Sequence, residues 1–151
     1  MSKTHLAFGL LVGLFVSEFF GVENKLLFVS IVVFSSLLPD LDIPASKIGQ
    51  KVRPLSWLLN IFFGHRGLMH TVYIPLLVWF IFISYGKAFI AGAFFLGYMS
   101  HLIIDMLNVK GIYFFYPLIR VRLNGFIKAN GFLERLLFFA ILVGIVLLLV
   151  V

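Results

Sequence analysis

The sequence predicts an all-α integral membrane protein of about five transmembrane helices. They are arranged as two hairpins and a C-terminal span, with an interfacial or re-entrant helix and a small cytoplasmic β-hairpin. Three observations carry this. Of 151 residues, 62% are hydrophobic and only 12% charged, about half the charge density of a soluble domain, and mean hydropathy is +1.14. Apolar runs recur at Leu6–Phe20, Leu26–Leu38, Val72–Tyr85, Ala88–Leu107 and Leu136–Val151. Finally, ten of the twelve Lys and Arg residues fall on one side of such a topology.

The first hairpin is assigned to residues 5–42, turning at GVENK, and the second to 70–105, turning at YGK. The first three runs fall short of the roughly 20 residues that cross a hydrocarbon core. They are accepted as spans because short turns join neighbours into antiparallel helical hairpins. Between the hairpins, PLSWLLNIFF at 54–63 has proline at a helix start and Trp57 suited to the interface. Further on, 117–130 alternates Ile119, Val121 and Leu123 with Arg120 and Arg122, and Asn124-Gly125 supplies a type I′ turn, which predicts the β-hairpin. The C-terminal span is 136–151, and the whole of 1–151 is read as one membrane domain.

Placing the N-terminus in the cytoplasm leaves only Lys25 and Lys87 outside, which is the orientation the positive-inside rule favours. The net charge of +6 is explained by the same rule, and no nucleic acid is expected as partner. There is no cysteine, which excludes disulfides, thiolate metal sites and a cysteine nucleophile. The N-terminal run lacks a small-x-small cleavage pattern and is read as retained.

The same topology sorts the ionisable residues. His5 opens the first run, Asp40 and Asp42 follow the second, His65 and His70 precede the third, and His101 and Asp105 close the fourth. All seven are expected at one face, whereas Glu18 and Glu23 lie at the other. His101 and Asp105 stand four apart on one helical face. PDLDIP sets two carboxylates between prolines. In GHRGLMHT, His65 falls in a glycine-flanked turn and His70 in the first helical turn. His5 to Asp40 and His70 to Asp105 are both 35 residues, with Gly21 and Gly86 equivalent inside them. A degenerate repeat is expected in which each hairpin returns an Asp beside its own His.

Seven nitrogen and oxygen ligands without sulfur suit zinc first, with manganese, iron or nickel also matched. That number is enough for one or two divalent ions with a carboxylate bridge. Arg66, Arg120 and Arg122 share the face and are candidates to hold a phosphate, or to grip lipid headgroups. No GxSxG, Walker or dinucleotide motif is present.

His5 together with LLPDLDIP, HRGLMHT and GYMSHLIIDMLNVKG followed by YP resembles the YdjM-like family of membrane-bound metal-dependent hydrolases. The likeness runs from the N-terminus to about Pro117. It implies metal-dependent hydrolysis at a membrane, with His5, Asp40, Asp42, His65, His70, His101 and Asp105 on the family's motif positions. The order Asp, His, HxxxD is also similar to part of the metal set of zinc-dependent phospholipase C and its related nucleases, whose later HxxxE has no counterpart here. The expectation is a multi-pass inner-membrane phosphoesterase. Its metal is divalent, its substrate a lipid or lipid-linked phosphoester, and Asp42 and His70 are candidates to handle protons. A membrane scaffold and a metal-binding or transport protein are the alternatives.

Overall fold

The computed structural model describes residues 1–42, 49–54, 56–58 and 67–150. Helix α1 (Ser2–Phe19) and α2 (Lys25–Ser35) form one hairpin, and α3 (Tyr73–Ser84) and α4 (Ala88–Met106) a second. Helix α5 (Phe132–Val150) packs along α1. Short 3₁₀ turns at Leu38–Asp42 and Leu68–His70 follow the first hairpin and precede the second.

Both hairpins turn in the same way. Gly21 (φ 58°) and Gly86 (φ 67°) adopt the left-handed conformation that ends a helix without steric cost to glycine. Beyond them, Val22 N–H donates to the Ser17 carbonyl and Lys87 N–H to the Phe82 carbonyl, at 2.9 and 2.8 Å. The Asn24 side chain then caps α2 by accepting from Leu27 N–H at 3.1 Å.

Helices α1, α2 and α4 approach closely through small residues. A Cβ on Gly9 would meet Ser36 Oγ at 2.6 Å, and a Cβ on Gly97 would meet the Val32 carbonyl oxygen at 2.1 Å. Such contacts let backbones pack where no water drives association. Phe28, Val32 and Ala93 fill this junction, and Ala7, Ile141 and Ile145 join α1 to α5. Many large apolar side chains, among them Phe80 and Leu147, face outward.

Two expectations are corrected. Among the described residues only α4 and α5, at 19 residues each, are long and apolar enough to cross a membrane, not five helices. Helices α2 and α3 have 11 and 12 residues and reach about 16–18 Å. The apolar run outlasts the helix in each case. Leu37 and Leu38 continue the run of α2, but the helix ends at Ser35 as the chain bends into the 3₁₀ turn holding Pro39. Helix α1 carries Lys3, Thr4, His5, Ser17 and Glu18 within its 18 residues.

The β-hairpin expected at 117–130 is also absent: the described residues contain no strand, only isolated bridges. Leu123 exchanges both backbone hydrogen bonds with Ile112, and Ile127 pairs with the end of α4 through Leu107 and Val109. Residues 119–123 therefore do not pair across the Asn124-Gly125 turn. Their alternating side chains are exposed, with Ile119 and Val121 facing outward beside the arginines. The expected helix at 54–63 lies for the greater part outside the described residues.

Candidate metal centre

Helix packing brings five of the predicted residues together at one end of the bundle. Helix α1 supplies His5 and α4 supplies His101 and Asp105, while Asp40 and His70 come from the two 3₁₀ turns. His5, His101 and Asp105 offer ligand atoms within 4.8 Å of one another, and so do Asp40, His70 and His101. His70, His101 and Asp105 are fully enclosed, and Asp40 keeps 14% of its side-chain surface exposed.

Asp105 is the hub. Its Oδ1 lies 3.3 Å from His5 Nε2, and its Oδ2 lies 3.4 Å from His70 Nε2 and 3.7 Å from His101 Nε2. Asp40 Oδ1 stands 3.8 Å from His101 Nε2. The His5 and His101 rings stack at 3.9 Å between centroids. An ion holding N and O ligands tetrahedrally at about 2.0–2.1 Å separates them by about 3.3–3.4 Å. The shorter pairs match that separation.

The far side of two rings decides what this end can hold. His101 Nδ1 lies 2.7 Å from the Ser36 carbonyl oxygen, and His5 Nδ1 lies 3.0 Å from the Met1 carbonyl oxygen. A carbonyl only accepts, so each Nδ1 carries the proton. In the neutral ring Nε2 then presents a lone pair, and both lone pairs face carboxylate oxygens. No hydrogen-bond partner satisfies His5 Nε2 or His101 Nε2 among the described residues. Facing acceptors at this distance repel unless positive charge lies between them, supplied by a proton on Nε2 or by a shared cation; backbone carbonyls at Nδ1 are compatible with either. Site and donor set fit one divalent cation, with room for a second only if a carboxylate bridges. His101 has one nitrogen to give, because its other is held by Ser36.

The neighbours that hold these ligands were not singled out by the sequence. Tyr98 Oη donates to the Met69 carbonyl at 2.6 Å and ties the turn bearing His70 to α4. Buried Glu134 accepts from Thr4 Oγ1 at 2.8 Å and pairs with the Met1 amine at 3.0 Å, fixing the start of α1 whose carbonyl orients His5. Asn108 contacts the Met1 sulfur. A buried Thr one residue before His5 and an acid at the start of a late apolar run were visible, but nothing in their spacing joined them.

The remaining predicted residues are placed differently. Asp42 ends the first 3₁₀ turn, with its side chain outside the description. His65 and Arg66 lie outside the described residues. Arg120 and Arg122 sit over the rings of Tyr116 and Tyr113, at 5.7 and 5.0 Å. The repeat is crossed in its contacts: His70 meets Asp105 of its own hairpin, but His5 also meets Asp105, and Asp40 meets His101 of the other.

Comparison with known proteins gives a consistent relationship. The family model described as YdjM inner membrane protein matches residues 1–151. An uncharacterised Bacillus subtilis protein, YvsG, is 36% identical over 137 residues, covering 89% of this chain and 84% of that protein. The inner membrane protein YdjM of Escherichia coli is 34% identical over 91 residues, 56% of this chain, and the same values hold for that of Shigella flexneri. The matched part spans about half, 46%, of those two YdjM relatives. No solved structure matches the chain.

Proposed function

Because the chain belongs to the YdjM inner membrane protein family, we propose that its buried cluster is the metal centre of a membrane-embedded hydrolase. The substrate class is a phosphoester of a lipid or lipid-linked molecule. One observation carries this reading: two imidazoles held through Nδ1 by main-chain carbonyls aim Nε2 at the carboxylates of Asp105 and Asp40. Positive charge between such pairs comes either from a proton on Nε2 or from a shared cation, and we take the second.

In this reading His5, His101 and Asp105 hold the first ion, with His70 and Asp40 completing its shell or holding a second. A divalent ion there would supply Lewis-acid chemistry, easing deprotonation of water and drawing charge from a phosphoryl oxygen. Asp40, the partly open member, marks the side from which substrate arrives. His70 and Asp42, the latter two residues after Asp40 in the chain, serve as the proton-handling pair. Arg120 and Arg122, backed by tyrosine rings, hold headgroup phosphates at the membrane surface. The cluster end, with Lys3 and Lys110 near it in sequence, faces the cytoplasm. Lys25 and Lys87, at the opposite helix ends, face away.

The test is elemental analysis of purified protein, wild type against His101→Ala and Asp105→Ala. Alongside it runs a hydrolysis screen on phospholipids and isoprenoid phosphates. Stoichiometric zinc or a related ion in the wild type, lost in both variants, is expected. Metal retained by both variants, or none in the wild type, overturns the assignment.

A further inference from the structure

We propose that the furrow between α1 and α5 is a binding site for one membrane phospholipid, with an acyl chain along the furrow and the phosphate at Lys3. A cavity of about 360 Å³ lies there. Its apolar sides are Leu6, Ala7 and Leu10 from α1, facing Phe138, Leu142 and Ile145 from α5. Counted with Lys3, the α1 stripe follows i, i+3, i+4, i+7, and the α5 stripe follows i, i+4, i+7; each covers about two turns, roughly 10 Å of helix.

Two features choose a phospholipid over a simple hydrocarbon filler. First, the furrow ends at polar residues. Ser2, Lys3, Leu37 and Asp40 complete its lining, and Asp40 belongs to the His-Asp cluster. Second, a separate hollow of about 520 Å³ adjoins it, sharing Ser2, Lys3 and Phe138 and adding Asn130, Arg135 and Glu134, whose carboxylate is engaged by Thr4 and the Met1 amine. Exposed Lys3 therefore stands where an apolar channel meets a chamber of mixed polarity with a second cation. That sequence of surfaces matches a chain, a phosphate and a headgroup in order. Lys3 supplies a point charge for the phosphate, and the chamber accepts the headgroup. In the metal-hydrolase reading, on which only this last step rests, a phosphate so held lies beside the one cluster member that reaches the surface. Binding itself needs no metal.

The experiment uses the full chain in vesicles of phosphatidylethanolamine and phosphatidylglycerol. A minor fraction of the phosphatidylglycerol carries a photoactivatable diazirine on one acyl chain, and crosslinks are mapped by peptide mass spectrometry. Labelling of Leu6, Leu10 and Leu142 is expected to exceed that of outward-facing Val143 and Leu147 several-fold. Leu6→Trp, at a partly exposed position, is expected to fill the furrow and lower labelling at Leu142. Lys3→Glu is expected to abolish the preference while Val143 and Leu147 label as before. Equal labelling of furrow and outer face, or a preference unmoved by both substitutions, overturns the proposal. So does a furrow labelled by a photoactivatable isoprenyl phosphate but not by the phospholipid. Metal content measured on the same samples separates the two readings: a metal-free protein with furrow labelling sinks the hydrolase alone, and a metal-loaded protein without it sinks the lipid site alone.

Discussion

Gly97→Ala tests whether helix packing sets the ligand geometry. A Cβ at this position would sit 2.1 Å from the Val32 carbonyl oxygen and 2.1 Å from Ser35 Oγ, against 3.4 Å or more for ordinary contact. The serine can rotate, but the carbonyl belongs to the α2 backbone. Helices α2 and α4 must therefore separate by about 1 Å, and overpacking of this kind costs about 1–3 kcal/mol. His101 lies one turn beyond Gly97 on the same helix, and its Nδ1 bonds to Ser36, at the end of α2. Moving α4 away from α2 pulls His101 from the carbonyl that fixes its tautomer, and shifts Asp105 from His5. Metal–ligand distances tolerate about 0.2 Å, so the displacement exceeds what the centre can absorb. Gly92→Ala, on the same helix, has nothing within 4 Å of its added carbon. It should be neutral or stabilise by up to about 1 kcal/mol through helix propensity. Thermal unfolding in detergent and elemental analysis read both effects. A Gly97→Ala protein with the stability and metal content of Gly92→Ala would refute the argument that this close crossing positions the ligands.

Four further outcomes are expected. Asp105→Ala removes a carboxylate that three imidazoles face and should lose essentially all metal, whereas Asp40→Ala should keep one ion if two are bound; competition with a colorimetric zinc chelator distinguishes them. Added zinc should raise the unfolding temperature, since free ligand at a hundred times its dissociation constant contributes about 2.7 kcal/mol, and the rise should vanish in His101→Ala. Thr4→Val should lower stability by about 0.5–1.5 kcal/mol and Glu134→Ala by more, about 1–3 kcal/mol, because Glu134 also pairs with a buried amine. Arg122→Ala should cost no more than about 1 kcal/mol by the same unfolding assay and leave metal content unchanged, as an exposed cation over Tyr113 predicts.

The elements most legible in the sequence were those set by local chemistry. Gly21 and Gly86 mark two turns of the same kind because only a residue free to adopt positive φ ends both helices there. The spacing of His101 and Asp105 already places both on one face of α4. Span count was less legible, because hydropathy reports a run of apolar residues and not the backbone's path through it. Leu37 and Leu38 extend the run after α2 has ended. The Asn124-Gly125 signal misled for a related reason: the partner of Leu123 is Ile112, eleven residues back and on no hairpin register. Least legible were the carbonyls of Met1 and Ser36. Every residue owns a carbonyl, so sequence cannot say which ones will fix an imidazole's tautomer.

Those carbonyls also bear on the choice between a metal centre and a structural polar network. A buried ionic cluster is poor evidence of stabilisation, since removing charges from water costs about as much as their attraction returns. A network that only held helices together would gain most by putting a proton in every short gap. Here the Nδ1 atoms point outward to main chain at Met1 and Ser36, and the Nε2 atoms point inward at Asp105. With neutral rings such an arrangement calls for a cation in the gap; with protonated rings it is a set of ion pairs around Asp105, and elemental analysis of the purified protein separates the two. The cluster also reaches outward through Asp40, whose side chain remains 14% exposed and lines the furrow between α1 and α5. A purely structural site has no use for an open edge, whereas a metal hydrolase needs a coordination position that water and substrate can reach.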